Sequence, residues 1–357
     1  MPERRALWAS TKARGGIARF VTTVAETPLW DEWNVRLVVT HTNGNAFVRL
    51  GYFIKGGTLF LVEVLLRRPA VVHVHSAAYG SFVRKALLTW VSRLFHIPVV
   101  FHMHGADLHL FHDEAPRLMQ TFIRRTLESA AAVVALGSAW AVRLRAIAPA
   151  ASIVVIPNSV PLKTSVDQFA SGDVQVTFLG EIGDRKGTFI LIEAWRAVAR
   201  ANAERSASAR LIIAGDGDVQ RARDLVTEYG LTDSVLVEGW KPSAEVEELL
   251  ARTKVLVLPS RDEGQPMAIL EAMSRGIAVV STPVGGIPEM LQGEAGILVS
   301  PDDPVALGAA LNGLIDDAPL RARIGQAAHT RVGRDFEVAA VSTRFDDLYR
   351  AVTGYSP

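Results

Sequence analysis

Short, continuous apolar runs rich in Val and Ile alternate with helix-periodic segments along nearly the whole chain, and this alternation restricts the fold more than any other feature. Runs of this length and β-branched content read as strands buried on both faces, which is the signature of parallel sheets covered by helices. In the first half the runs are RALWAS (5–10), VRLVVT (35–40), AVVHVHS (70–76), PVVFHMHG (98–105), AAVVALGS (131–138) and SIVVIPNS (152–159). Between them, IARFVTTVAETP, 46–66 and YGSFVRKALLTWVSRLF (79–95) read as helices, the second with an awkward Gly56-Gly57 inside it. Residues 161–173 lose the periodicity and gather Pro, Ser, Gly and Asp, so they are predicted to link two domains. A second series follows, with strands at VQVTFLG, ARLIIAGDG (209–217), SVLVEGW (234–240), VLVLP (255–259), IAVVST (277–282) and GILVSP (296–301). Helical segments at 303–316, 320–333 and 338–352 close the chain. Strand–helix alternation on this scale implies α/β architecture with two doubly wound parallel sheets.

At 357 residues the chain fits two domains, and at 49% apolar it can fill two cores. No apolar run is long enough for a membrane span. The start, MPERRALWAS, lacks an apolar core followed by small residues, so no signal peptide is expected. The absence of Cys excludes disulfides, thiolate catalysis and thiolate metal sites. A cytoplasmic, bacterial-type enzyme is the expectation. Charge is unevenly divided: residues 1–163 carry 19 Lys/Arg and 9 Asp/Glu (+10), residues 164–357 carry 19 and 28 (−9), which sums to the net +1. Such asymmetry suggests different partners for the halves. The basic half suits anionic lipid or a pyrophosphate-bearing acceptor, and Arg84, Lys85 and Arg93 on helix 79–95, with Arg124 and Arg125 beyond, are the residues expected to meet a membrane surface. The competing reading is that this helix packs its apolar side on the sheet and its basic residues are merely solvated.

The stretch Pro259–Met273, PSRDEGQPMAILEAM, carries the densest chemistry. It joins two buried strands through a loop that empties onto a helix beginning at Pro266, a residue well placed at a helix start. Unpaired N–H groups at such a helix start favour an anion. Glu263 lies in the loop and Glu271 eight residues later, in the helix; both suit acceptance of hydrogen bonds from hydroxyls. Arg185 and Lys186 stand just past a strand, and a lysine there is a mobile point charge suited to a diphosphate. Gly15 and Gly16 end a loop where a helix starts and would let backbone approach a phosphate closely.

Histidines gather at the ends of the third and fourth strands: His73, His75, His102 and His104, with His109 and His112 beyond. His102 and His104 should face one side of the sheet and Met103 the other. Partners for a four-ligand zinc site cannot be placed, so no metal is expected. His104, directly before Gly105, has the strongest claim to function; His73 and His75 read as packed histidines.

With these residues in view, the chain resembles a family 4 glycosyltransferase of the GT-B fold over nearly its whole length. EGQPMAILE (263–271) is similar to that family's Glu-x7-Glu motif, supported by Lys186-Gly187, the AGDG turn (214–217), VGGIPE (284–289) and FHMHG (101–105). The resemblance implies two Rossmann-like domains facing a cleft: 1–163, with a crossover helix at 337–357, for the acceptor, and 164–336 for the nucleotide sugar. It implies catalytic roles for His104, Lys186 and Glu263. Donor contacts would come from Gly15, Gly16, Arg185, Lys186, Gly215, Trp240, Glu263, Gly264, Gln265, Pro266, Met267, Ala268 and Glu271. Lys186 would hold the diphosphate, Glu263 the sugar hydroxyls, Glu271 the ribose and His104 the sugar near the reacting centre. Retaining, metal-independent transfer from a UDP- or GDP-linked sugar to a glycan or polyprenyl-linked acceptor is the implied reaction, on the inner face of a membrane. No Asp-x-Asp metal clamp is recognised in that role. One position departs from the pattern: Glu181 stands where the family has an arginine, with Arg185 or Arg14 as substitutes. That leaves a non-catalytic partner subunit as the main alternative. An epimerase or phosphorylase fits the motif less well, and a nucleic-acid binder least.

Overall fold

The computed structural model describes residues 4–13, 15–105, 107–202 and 209–355. The chain divides into two compact units, 1–159 with 338–357, and 160–337.

The first unit holds β1 (Ala6–Ser10), β2 (Arg36–Val39), β3 (Val71–Ser76), β4 (Val99–Met103), β5 (Ala132–Ala135) and β6 (Ile153–Val155). They form one parallel sheet in the order β2-β1-β3-β4-β5-β6. The four central strands β1, β3, β4 and β5 are buried along their whole length, as their composition requires, and the edge strands β2 and β6 only in part. One face packs Phe60, Phe82, Phe101 and Ile123; the other packs Trp8, Phe20, Trp33, Phe345 and Tyr349. The last two come from the C-terminal helix Val338–Thr353, which belongs to this unit. Its Asp346 Oδ1 accepts a 2.7 Å hydrogen bond from Trp33 Nε1.

The second unit holds β7 (Val174–Leu179), β8 (Ala209–Ala214), β9 (Val235–Glu238), β10 (Val255–Leu258), β11 (Ala278–Ser281) and β12 (Ile297–Leu298). Their order, β12-β11-β10-β7-β8-β9, is again all parallel. Strand order reverses between β7 and β10, so the loops leaving their C-terminal ends diverge and open a crevice, the place where doubly wound sheets bind ligands. The same reversal occurs in the first unit between β1 and β3.

Two expectations are corrected. Residues 161–173 are not a free linker. Lys163 and Val166 donate backbone hydrogen bonds to Ser274 and Arg275 at 3.1 and 2.8 Å, and Gln168 Nε2 reaches Gly276 O at 3.0 Å. Polar composition here reflects a segment held by backbone and amide bonds instead of an apolar stripe. The helix Gly80–Leu94 does not present its basic residues as one exposed row. Lys85 is only 2% exposed, its ammonium donating to Thr40 Oγ1 and to Ser10 O, while Arg93 donates to Ser129 O. Phe82 and Leu88 pack on the sheet beside them.

Candidate active site

In the second unit the crevice between β7 and β10 brings together residues from distant parts of the chain. After β7 the backbone passes Gly180 and Glu181, forms a single helical turn at Asp184–Lys186, and continues into helix Thr188–Asn202. After β10 it runs through Pro259–Pro266 into helix Met267–Met273. Lys186 Nζ donates to Glu263 Oε1 between these two loops, and Ser260 Oγ donates to the same oxygen at 2.8 Å. Glu263 is 5% exposed. The Lys186 ammonium and the Ser260 hydroxyl satisfy this buried carboxylate.

Glycines allow these loops to close on one another. A side chain on Gly285, which has φ +54°, would place Cβ 1.7 Å from Glu263 O. Gly286 N donates to Gly264 O at 2.9 Å, so the 282–289 loop is laced onto the Glu263 loop. Gly187, at φ +72°, abuts Pro259 O in the same way. Gly215 lies against Gly180 O, where a Cβ would stand at 1.7 Å. Gln265 and Met267 are buried, Gly264 and Ala268 partly so, and Glu271 occupies the second turn of its helix. Pro266 caps that helix in extended conformation. Trp240 is half-exposed beyond β9.

The replacement at Glu181 has a visible consequence. Arg185 Nη2 donates to Glu181 Oε2 at 3.0 Å, and both side chains are exposed. Arg185, expected to substitute for the missing arginine, is thus engaged by the glutamate that stands in its place, and Arg14 falls outside the described residues. The Asp-x-Asp spacing does occur once, at Asp216-Gly217-Asp218. It forms the turn after β8, where Ile182 N donates to Asp216 O at 2.6 Å and Asp218 N to Ile182 O at 2.8 Å. Its backbone is committed to holding the post-β7 loop.

The first unit carries its own group. Gly15 adopts φ +136° at the start of helix Gly16–Ala25, with open space around a built Cβ. That helix has no acidic residue in its first turn and no side-chain cap, leaving its N–H groups accessible to an anion. At the end of β4, His104 N donates to Ser76 O at 2.7 Å, and Gly105 approaches Ala77 and Ala78 so closely that a Cβ would meet them at 3.0 Å.

The histidines form one packed group on the face of the sheet expected for them. His102 and His104 stack at 4.0 Å and His73 and His75 at 4.2 Å. His73 Nδ1 bonds Tyr349 Oη, His73 Nε2 bonds His102 Nδ1 at 3.2 Å, and His75 Nδ1 bonds His104 Nε2 at 3.0 Å. Burial lowers the pKa of His73, His75 and His102 well below the usual value, with neighbouring imidazoles adding to it. Burial also pushes His104 down to about 3, opposed by a hydrogen bond with the Asn158 side chain. All four rings are neutral near pH 7, so His104 acts there as a neutral hydrogen-bonding group. Ring nitrogens of His73, His75 and His102 lie within 4.8 Å of one another. His73 already spends both nitrogens on Tyr349 and His102, so a cation would have to displace those bonds.

Sequence reasoning missed Ser260, Asn158 and Tyr349. Ser260 had a weak signal, being the residue that leaves the strand next to the Glu263 loop. Tyr349 had none, because 276 residues separate it from His73.

The two units match two family models, one described as a glycosyl transferase 4-like domain over residues 3–159 and one as glycosyl transferases group 1 over residues 173–317. Among curated proteins, one named as a colanic acid biosynthesis glycosyltransferase of Salmonella typhimurium is 33% identical over 189 residues, covering 50% of this chain and 45% of that protein. A D-inositol 3-phosphate glycosyltransferase of Corynebacterium efficiens is 30% identical over 184 residues, covering 50% and 43%. The alignments thus span about half the length of these relatives. Among solved structures, sucrose-phosphate synthase from Thermosynechococcus elongatus superposes with a TM-score of 0.81 at 19% identity, covering 99% of this chain and all of that one. The HepE protein of Anabaena in complex with UDP-glucose gives 0.74 at 19% identity, covering 97% and 99%. The chain belongs to the group 1 glycosyltransferases, with a family 4-type N-terminal domain and the GT-B fold.

Proposed function

We propose that the protein is a retaining hexosyltransferase that moves a sugar from a UDP- or GDP-linked donor to a glycan or polyprenyl-linked acceptor at an anionic membrane surface, in polysaccharide or glycolipid assembly. The observation that carries this reading is the Lys186–Glu263 pair in the crevice between β7 and β10. Departure of the leaving group puts negative charge on a diphosphate, and a lysine in a sparsely hydrated loop stabilises that charge better than one in water. Donor binding recruits the Lys186 ammonium to the diphosphate and frees Glu263 to accept hydrogen bonds from sugar hydroxyls. Glu271 accepts from the ribose. No residue is assigned as a covalent nucleophile: Glu263 is held by Lys186 and Ser260. The leaving diphosphate takes the acceptor proton, and no metal-dependent step is invoked. A relative named for colanic acid biosynthesis supports the setting, and a structural neighbour in complex with UDP-glucose supports the donor class.

Proton NMR of the initial product tests the stereochemistry. Transfer from an α-linked donor must give an α-linked product; a β-linkage rules out retention. A second reading rests on the Arg185–Glu181 contact, which leaves the diphosphate without the arginine usual in this family. On that reading the chain is a non-catalytic partner subunit, and it binds no nucleotide sugar in a thermal-shift panel of UDP, GDP, ADP and their sugar conjugates.

A further inference from the structure

Helix Ala46–Val62 and its continuation Glu63–Arg67 attach to the first unit by few residues. Gly56, Phe60 and Val64 are buried, and Gly56 is needed because a Cβ there would lie 2.3 Å from Val39 O. Most of the remaining apolar content faces outward. Phe47 is 85% and Leu66 78% exposed, and Leu50, Ile54, Leu61 and Leu65 are exposed as well. A helix that is apolar nearly all round is normally buried, and a continuous exposed apolar surface marks a site of attachment.

The charges on this element are one-sided. Arg49, Lys55, Arg67 and Arg68 are exposed, against a single acid, Glu63, which pairs with Arg67 at 3.5 Å. Arg49 also lies near Arg84 and His41, and Arg84 Nε is buried without a hydrogen-bond partner. The surrounding half of the sequence, residues 1–163, carries the excess of +10 counted above. Among the described residues no helix is long and apolar enough to cross a membrane. We infer that the exposed face of residues 46–68 docks on an anionic lipid bilayer, lying in the headgroup region with its apolar side chains in the acyl boundary and its basic residues among the lipid phosphates. Apolar area and basic charge together fit that one surface, since interfacial helices bind by both. This rests on the membrane surface named in the proposed function, not on its donor chemistry, and it moves the membrane contact away from helix Gly80–Leu94.

Cosedimentation of the full chain with phosphatidylcholine vesicles, with and without about a third phosphatidylglycerol, tests it. Binding is expected only with phosphatidylglycerol and falls steeply with salt. Each basic residue at such a surface strengthens partitioning about five-fold, so Arg49→Gln/Lys55→Gln/Arg68→Gln should weaken it on the order of a hundred-fold. Leu50→Ser/Ile54→Ser/Leu66→Ser should weaken it at least about ten-fold even at low salt. Arg93→Gln, on the neighbouring helix, should leave it unchanged. Circular dichroism of each variant stays native because every changed side chain in both triple variants is exposed. Failure to bind anionic vesicles at low salt overturns the inference. So does equal binding by all variants, a loss in Arg93→Gln as large as in the triple variants, or self-association through this face that the apolar variant abolishes without any vesicle binding.

Discussion

Lys186 and Glu263 stand 77 positions apart and meet where the strand order of the second sheet reverses, the ammonium donating to the carboxylate. Glu263 sits in a loop and Lys186 ends the single helical turn Asp184–Lys186. Their paths are set by the divergence of β7 and β10 and by glycines that let neighbouring loops touch. The pair is therefore preorganised by topology, and substitutions at the glycines should be felt at the glutamate.

Gly285→Ala tests this link. Its Cβ would fall 1.7 Å from Glu263 O at a positive φ, so the loop must shift. Strain in that backbone region costs about 1–3 kcal/mol. Transfer should fall by more than stability alone explains, whereas Gly313→Ala, with open space in its helix, should leave transfer unchanged. Steady-state kinetics beside thermal unfolding decide it; full activity in Gly285→Ala would show that the two loops are not coupled.

The two glutamates should separate by ligand. Glu271→Gln is expected to weaken binding of the free nucleoside diphosphate, because product and donor share the ribose. Glu263→Gln should leave that binding nearly intact and lower turnover of the sugar nucleotide. Loss of one charge-assisted hydrogen bond corresponds to roughly 1.5–3 kcal/mol, or about ten- to hundred-fold. Calorimetry with the diphosphate and kinetics with the conjugate provide the comparison, and equal losses of diphosphate affinity in both variants would contradict the assigned roles.

Acid should destabilise the first unit through its histidines. His73, His75 and His102 are held neutral by burial, while in the unfolded chain each takes up a proton below about 6.5. The unfolded state then binds more protons, so stability present above pH 6.5 is lost as pH falls, at up to about 1.4 kcal/mol per pH unit for each ring. His104 adds to the loss between about 6.5 and about 3. Thermal unfolding across pH 7.5 to 5 should show this slope, reduced in His102→Gln. A flat profile would mean that the rings are already charged or solvated in the folded protein.

Much of the architecture was legible because the strands are buried on both faces, and that demand writes itself into runs such as AVVHVHS and VLVLP. Glu263, Glu271 and Lys186 were legible for a related reason, since loops at strand ends carry their chemistry in short local motifs. What the sequence hid was set by distance. Lys85 reads as a surface cation by helical position, yet its ammonium turns inward to the end of β1 and the Thr40 hydroxyl. Burial lowers its pKa to about 7. The linker reading of 161–173 failed because Gln168 and the backbone, not apolar side chains, fasten that segment to residues a hundred positions away. The exposed apolar helix at 46–62 was read correctly as a helix, but its burial was invisible: a stripe of Leu and Phe looks the same whether protein or another phase covers it.

Titration calorimetry of UDP and GDP against the wild type and Lys186→Ala tests most directly whether Lys186 holds the diphosphate. A nucleotide at about 100 times its dissociation constant should also raise wild-type stability by roughly 2.7 kcal/mol. The variant should stay folded by circular dichroism and bind the preferred diphosphate about ten- to hundred-fold more weakly. A folded Lys186→Ala protein that binds the diphosphate with wild-type affinity would contradict the account.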